Sequence, residues 1–128
     1  MPELEKLTIN LTPVDLGQIE LLVEQGYYAN RAEFIRVAIR DQIAKHADAL
    51  RETAARQAQV IGAMAISRRS LEHDRDEGRR VALRVVGFLS IADDVTPELA
   101  REVIESVHVR GIFRASAAVK ESLADRTT

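Results

Sequence analysis

The chain has 128 residues and a formal net charge of −2; it is 46% hydrophobic but only 4% aromatic, and it contains neither tryptophan nor cysteine. That length holds one domain or two small ones, with a core assembled from Leu, Ile, Val and Ala. The absence of cysteine excludes disulfides, thiol catalysis and Cys-based metal centres. No apolar run approaches the roughly 20 residues that span a bilayer. The acidic start Met1-Pro2-Glu3-Leu4-Glu5 lacks signal-peptide character, so a cytoplasmic protein is expected.

The first predicted element is a short strand. In Lys6-Leu7-Thr8-Ile9-Asn10-Leu11-Thr12 the apolar Leu7, Ile9 and Leu11 alternate with Lys6, Thr8, Asn10 and Thr12, the period of a half-buried strand. Thr12-Pro13-Val14-Asp15 then reads as a helix N-cap, a proline at the first helical position and an acid at the third. Val14, Leu16, Ile19, Leu22 and Val23 form the apolar stripe of that helix, and Gly26 ends it. Tyr27-Tyr28-Ala29 bridges to a second helix, where Asn30 and Glu33 have capping-box spacing. Phe34, Ile35, Ala38, Ile39 and Ile43 give the second helix its apolar face.

One strand makes no sheet, and two helices with one strand bury little by themselves. A second copy is therefore expected to supply the partner strand. A two-stranded antiparallel ribbon fits the major groove of DNA, and its polar row would meet base edges. Lys suits guanine acceptors, Asn the donor–acceptor pair of adenine, and Thr a hydrogen bond or a thymine methyl. A helix start exposes free amides and partial positive charge, so Asn30, Arg31 and Ala32 are placed to hold a phosphate. Arg36 and Arg40 lie further along the helix, where surface pairing with Glu33 or Asp41 is expected. Tyr27 and Tyr28 read as turn and dimer packing.

The segments Lys6-Leu7-Thr8-Ile9-Asn10-Leu11, Gly26 and Asn30-Arg31-Ala32-Glu33-Phe34-Ile35-Arg36 together resemble the ribbon-helix-helix transcriptional regulators of the Arc, MetJ and CopG type, over about one third of the chain. The resemblance implies an intertwined dimer. It implies that Lys6, Thr8 and Asn10 read bases and that Thr12, Asn30, Arg31 and Ala32 contact phosphate. The first 46 residues carry five basic side chains against seven acidic ones, so non-specific affinity should be weak and salt-sensitive. Binding then rests on a few well-placed groups, on helix N-termini and on several dimers acting together.

From Asn30 to about Gln59 there is no Gly or Pro, and the alanines at 44, 47, 49, 54, 55 and 58 favour helix. The second helix is expected to run on as a long rod, with a break near Ala44–His46 as the alternative. A domain boundary is expected between residues 45 and 60.

The second half repeats. Ile61-Gly62-Ala63-Met64-Ala65-Ile66, Val86-Gly87-Phe88-Leu89-Ser90-Ile91 and Arg110-Gly111-Ile112-Phe113-Arg114-Ala115 align with their glycines roughly 24 residues apart, the range of strand-plus-helix units. Leu83, Val85, Gly87, Val95 and Leu99 correspond to Val107, Val109, Gly111, Val119 and Leu123. Each unit predicts an apolar strand through the glycine and then a short helix, starting near Arg68, Thr96 and Ala117, with Gly78 as a helix stop. The units should stack as parallel strands with helices on one side, leaving an edge able to pair with another subunit.

Sites for chemistry are not expected. His46, His73 and His108 lack ligand spacing, and His73 with Asp74 and Asp76 reads as a solvated helix face. The Asn-Arg-Ala-Glu helix start resembles that of nickel-responsive ribbon-helix-helix repressors, but their His-rich, Cys-containing C-terminal site has no counterpart here. Asp93-Asp94 sits in a turn before Thr96-Pro97 and reads as cap and turn residues. There is no Gly-rich phosphate loop and no Gly-x-Gly-x-x-Gly. Arg68-Arg69 and Arg79-Arg80 are small basic pairs.

The fold expected is α+β: a ribbon-helix-helix domain over residues 1–46, an intertwined dimer; a helical connector over 47–59; and a strand-helix repeat domain over 60–128. The expected function is a sequence-specific DNA-binding regulator, a repressor, with no enzymatic activity and no cofactor, whose C-terminal half self-associates into a higher homo-oligomer. An antitoxin whose C-terminal half binds a toxin protein is the alternative, and a DNA-coating architectural protein a third reading.

Overall fold

A computed structural model describes residues 4–128; Met1, Pro2 and Glu3 of the acidic start lie outside the described residues. The chain divides into two compact units, one reaching to Leu50 and the other covering Arg51–Thr128.

The first unit is helical. Helix α1 covers Pro13–Glu24, and Thr12 Oγ1 accepts from the Asp15 N–H at 3.2 Å, satisfying one orphan donor of its first turn. Gly26 at φ +88° follows it in the left-handed region that a Cβ disfavours. Helix α2 covers Arg31–Lys45. Between the two helices the rings of Tyr28 and Phe34 meet edge to face, 5.0 Å apart, pinning the turn to α2.

The long rod does not form. Helix α2 stops at Lys45, and a separate helix α3 covers Ala47–Arg56, with His46 between them at φ −107°, ψ 13°. The His46 N–H reaches back three residues to Ile43 O, at 3.0 Å, so the last turn of α2 tightens; the His46 carbonyl then accepts from Leu50 N–H at 2.9 Å and opens α3. Alanine content favours helix on both sides of such a joint but does not require one axis. At the end of α3, Ala58 takes the left-handed conformation at φ +52° and Gln59 N–H bonds Ala54 O at 2.8 Å, a Schellman-type stop with alanine where glycine is usual.

The second unit alternates strand and helix: β1 Val60–Ile66, α4 Arg68–Asp76, β2 Val81–Ile91, α5 Pro97–Val103, β3 Ile104–Arg114 and α6 Ala117–Ser122, then a 3-10 turn at Ala124–Arg126. The three strands form one parallel sheet in the order β1-β2-β3. Side-chain caps at Ser67, Thr96 and Ser116 start the three helices, and Gly78 at φ +69° follows the end of α4. Leu83, Val85, Leu89 and Ile91 of β2 and Val107 of β3 are buried together with Leu71, Leu99, Val103, Val119 and Leu123 of the helices, so the helices cover one sheet face. By alternation along the strands, Arg84, Val86 and Phe88, with His108, Arg110 and Ile112, lie on the other face.

Gly62, Gly87 and Gly111 stand side by side across the three strands, at φ +135°, +136° and +128°. A Cβ on Gly87 would lie 2.2 Å from Gly62 O, and one on Gly111 2.0 Å from Gly87 O. Gly87 and Gly111 are thus steric requirements of close strand approach, whereas a Cβ on Gly62 would meet nothing within 4 Å. At the C-terminal end, Arg126 Nη1 donates to the carbonyls of Arg101 (2.7 Å) and Ile104 (2.8 Å), and Arg101 pairs with Asp125 through two contacts of 2.8 and 3.1 Å. The hydrogen bond from Arg101 holds the Asp125 carboxyl below the usual carboxylate range. No helix among the described residues is long and apolar enough to cross a membrane.

Gly87→Ala and Gly111→Ala are expected to destabilise the protein by about 3 kcal/mol or more, because backbone atoms must move, whereas Gly62→Ala should cost only the roughly 1–2 kcal/mol of an unfavourable φ; urea unfolding of the three variants checks the order. Asp125 contributes stability above the ordinary carboxylate range and loses it as pH falls through its lowered folded value. Asp125→Asn should therefore remove a small acid-side component of the stability–pH curve, read by melting temperature across pH.

Candidate nucleic-acid interface

The residues preceding α1 carry the candidate base readers. Lys6, Thr8 and Asn10 are all exposed, on a segment that forms no helix and pairs with no strand among the described residues. Their apolar neighbours are exposed as well: Leu7 is 83% accessible, Ile9 58% and Leu11 41%. The alternating pattern is intact in the sequence, but a single chain has no surface to cover its apolar row.

The candidate phosphate contacts sit at two helix starts. Thr12 caps α1. Asn30 caps α2, its Oδ1 accepting from Glu33 N–H at 2.8 Å. Glu33 Oε2 in return accepts from the Ala29 N–H, one residue earlier than a capping box places that bond. Asn30 is therefore occupied with its own helix, and the free groups there are the first-turn amides. Arg31 reaches back to α1, its Nη1 3.6 Å from Glu20 Oε1, with both side chains more than half exposed; such a pair is weak and opens readily. The segment and the α2 start meet: Leu11, Arg31 and Ala32 line one cleft with Leu16, Ile19 and Ile35, about 310 Å³ in volume. A second cleft of about 400 Å³ is almost wholly apolar, lined by Ile9, Leu11, Phe34, Ile35 and Ile39 among others.

Arg36 and Arg40 are exposed on α2, and neither pairs with Glu33 or Asp41. The surface pairing expected from their spacing does not form among the described residues; Glu33 instead accepts from the Ala29 N–H. They are two further cations one helical turn apart on the same face, and that spacing of four is the signal by which the sequence displays them. Among the described residues no cluster of three or more His, Cys, Asp or Glu side chains is placed to hold a metal ion.

Extended segment, capped helix, glycine turn and second capped helix stand in an order shared with known proteins. The chain matches the ribbon-helix-helix transcriptional regulator family over residues 2–120. It belongs to that family. The match runs past the first unit and through most of the second, so the sheet half lies within the stretch that this family shares. The chain is also similar to the transcriptional regulator CdrS of Halobacterium salinarum, with 36% identity over 45 residues, which cover 35% of this chain and 82% of that protein. No solved structure matches the chain.

Loss of either cap should cost about 1 kcal/mol: Thr12→Ala and Asn30→Ala are each expected to lower the unfolding free energy by that amount, measured by denaturant titration at fixed protein concentration.

Proposed function

We propose that this family member is a dimeric, sequence-specific DNA-binding repressor whose two N-terminal segments pair as an antiparallel ribbon. The observation that carries this reading is the apolar surface the first unit leaves open. Ile19 is the one buried side chain of α1, α2 has none, and Leu7, Ile9, Leu11, Ile39 and Ile43 are all exposed. Burying a Leu or Ile side chain contributes about 1.5–3 kcal/mol, so an uncovered row of this size favours association strongly. A second copy supplies a matching row and the ribbon's partner strand at once.

In that dimer Lys6, Thr8 and Asn10 project from the ribbon into the major groove and read bases. The amides at the start of α2, with Arg31 and Ala32, and the start of α1 at Thr12, hold phosphates on either side. Arg36 and Arg40 add charge near that contact. Repression follows from occupancy of a promoter and needs no chemistry. The second unit acts as a self-association module that links dimers on adjacent half-sites and offsets the acidic balance of the first unit. A core of its own fits that role better than the extended, unfolded tail which an antitoxin would fold around its toxin.

Against the operator selected from a random DNA pool, Lys6→Ala, Thr8→Ala and Asn10→Ala should each weaken binding by about 1–3 kcal/mol, read by fluorescence anisotropy at fixed salt. The solution mass should stay that of the parent. Undiminished binding by all three variants means the ribbon is not the reader. Ile9→Asp, by contrast, places a charge in the shared apolar surface and should abolish dimer and binding together.

A further inference from the structure

β1 is an edge strand with no protection. Val60–Ile66 runs Val-Ile-Gly-Ala-Met-Ala-Ile, seven residues without charge or proline, and it pairs with β2 without a register shift. Open edges of this composition recruit further strands, and natural sheets normally blunt them with lysine, proline or a bulge. No other described segment pairs with the outer side of β1, and Val60 and Ile61 are 44% and 51% exposed.

The opposite edge of the sheet is covered along half its length. Thr127 bridges Val107, the Thr128 N–H donates to Val107 O at 2.9 Å, and His108 Nδ1 lies 2.8 Å from Thr128 Oγ1. This cover stops at His108, and from Val109 to Phe113 no described segment pairs with the outer side of β3.

The two open stretches match in register. Val60 stands beside Val85, and Val85 beside Val109. Repeating that step once more sets the Val60 of a further strand beside Val109, against the part of β3 that the C-terminal residues leave open. The same step sets Gly62 of the incoming strand beside Gly111. Within one chain the conformation of Gly62 is unexplained: it shares the positive φ of Gly87 and Gly111, yet a Cβ there meets nothing within 4 Å. With β3 of another copy on its outer side, Gly62 would face the Gly111 carbonyl as Gly87 faces that of Gly62.

We infer that the second unit extends its sheet head to tail, β1 of one copy docking in parallel on β3 of the next, with Val60–Met64 against Val109–Phe113. The inference rests on the self-association reading above and names its surface. The contact is heterologous, so it closes into a ring or continues as an open row of copies. Symmetric pairing of β1 with β1 would leave β3 open in both copies and would not require glycine at position 62.

The natural chain has no cysteine, so single thiols report the contact cleanly. Ile61 and Arg110 come to stand directly opposite, at the roughly 4.8 Å spacing of neighbouring strands, within disulfide reach. Full-length Ile61→Cys and Arg110→Cys, mixed dilute, concentrated and mildly oxidised, should give a cross-linked pair that neither variant gives alone. The double variant should give a ladder of covalent oligomers, and Ala63→Cys alone should give none. Light scattering on the parent chain accompanies these reactions. Assembly beyond the dimer without cross-linking in the mixture, or with cross-linking of Ala63→Cys alone, overturns the head-to-tail contact and leaves self-association standing. A mass that never exceeds two chains at any concentration overturns both.

Discussion

Apolar surface that one copy fails to bury sets the terms for this protein. In the first unit the alternating row Leu7, Ile9 and Leu11 and the α2 side chains Ile39 and Ile43 are exposed, while Ile19 alone of α1 is buried. A helical pair of this length has too little interior to offset the conformational entropy of ordering it. In the proposed dimer its stability would be tied to association, and the interface that completes the fold would also assemble the reading surface. Recognition and folding are one equilibrium in such a design, and unfolding of the first unit should depend on protein concentration.

The second unit solves the same problem differently. Its core closes within one chain, because parallel strands and helices alternate and each helix returns the chain to the same sheet face. Leu71, Leu99, Val103, Val119 and Leu123 reach that face from three helices. Among the described residues this unit leaves open hydrogen-bonding capacity along β1 and along Val109–Phe113 of β3, together with the sheet face bearing Arg84, Phe88 and Arg110. Parallel sheets are usually covered on both faces, so the uncovered side reinforces the view that the second unit works within a larger assembly.

Much of this was legible in the residues. The caps at Thr12, Asn30 and Thr96 announce themselves by local chemistry, since one side-chain oxygen and one orphan amide decide each of them. The glycine period located the strands because backbone approach forbids a Cβ at Gly87 and Gly111 whatever the surroundings. Two things were less legible. The break at His46, which the sequence offered only as the alternative to a continuous rod near Ala44–His46, depends on one residue leaving the helical basin inside a helix-favouring run, which no periodicity records. The fate of Glu33 was also hidden: its spacing from Arg36 suggests an ion pair, but a backbone donor at Ala29 competes for the carboxylate and wins, so the Glu33–Arg36 pair does not form.

The charge balance explains why two such units belong in one chain. The first 46 residues carry two more acidic than basic side chains, so the sequence-independent attraction that usually holds a regulator near DNA is small. In the proposed reading, contacts from Lys6, Thr8 and Asn10 would discriminate between sequences, but by themselves they would give each dimer a modest hold. Joining dimers converts later binding steps into intramolecular ones without adding a single contact to DNA. A head-to-tail contact between second units suits that purpose better than a closed symmetric pair, because it sets no upper limit of two dimers. In that proposed assembly, occupancy would be a steep function of protein concentration, as cooperative assembly on neighbouring half-sites requires. Weak individual binding would then sharpen the response: a dimer that bound tightly alone would occupy single sites and blunt the dependence on concentration.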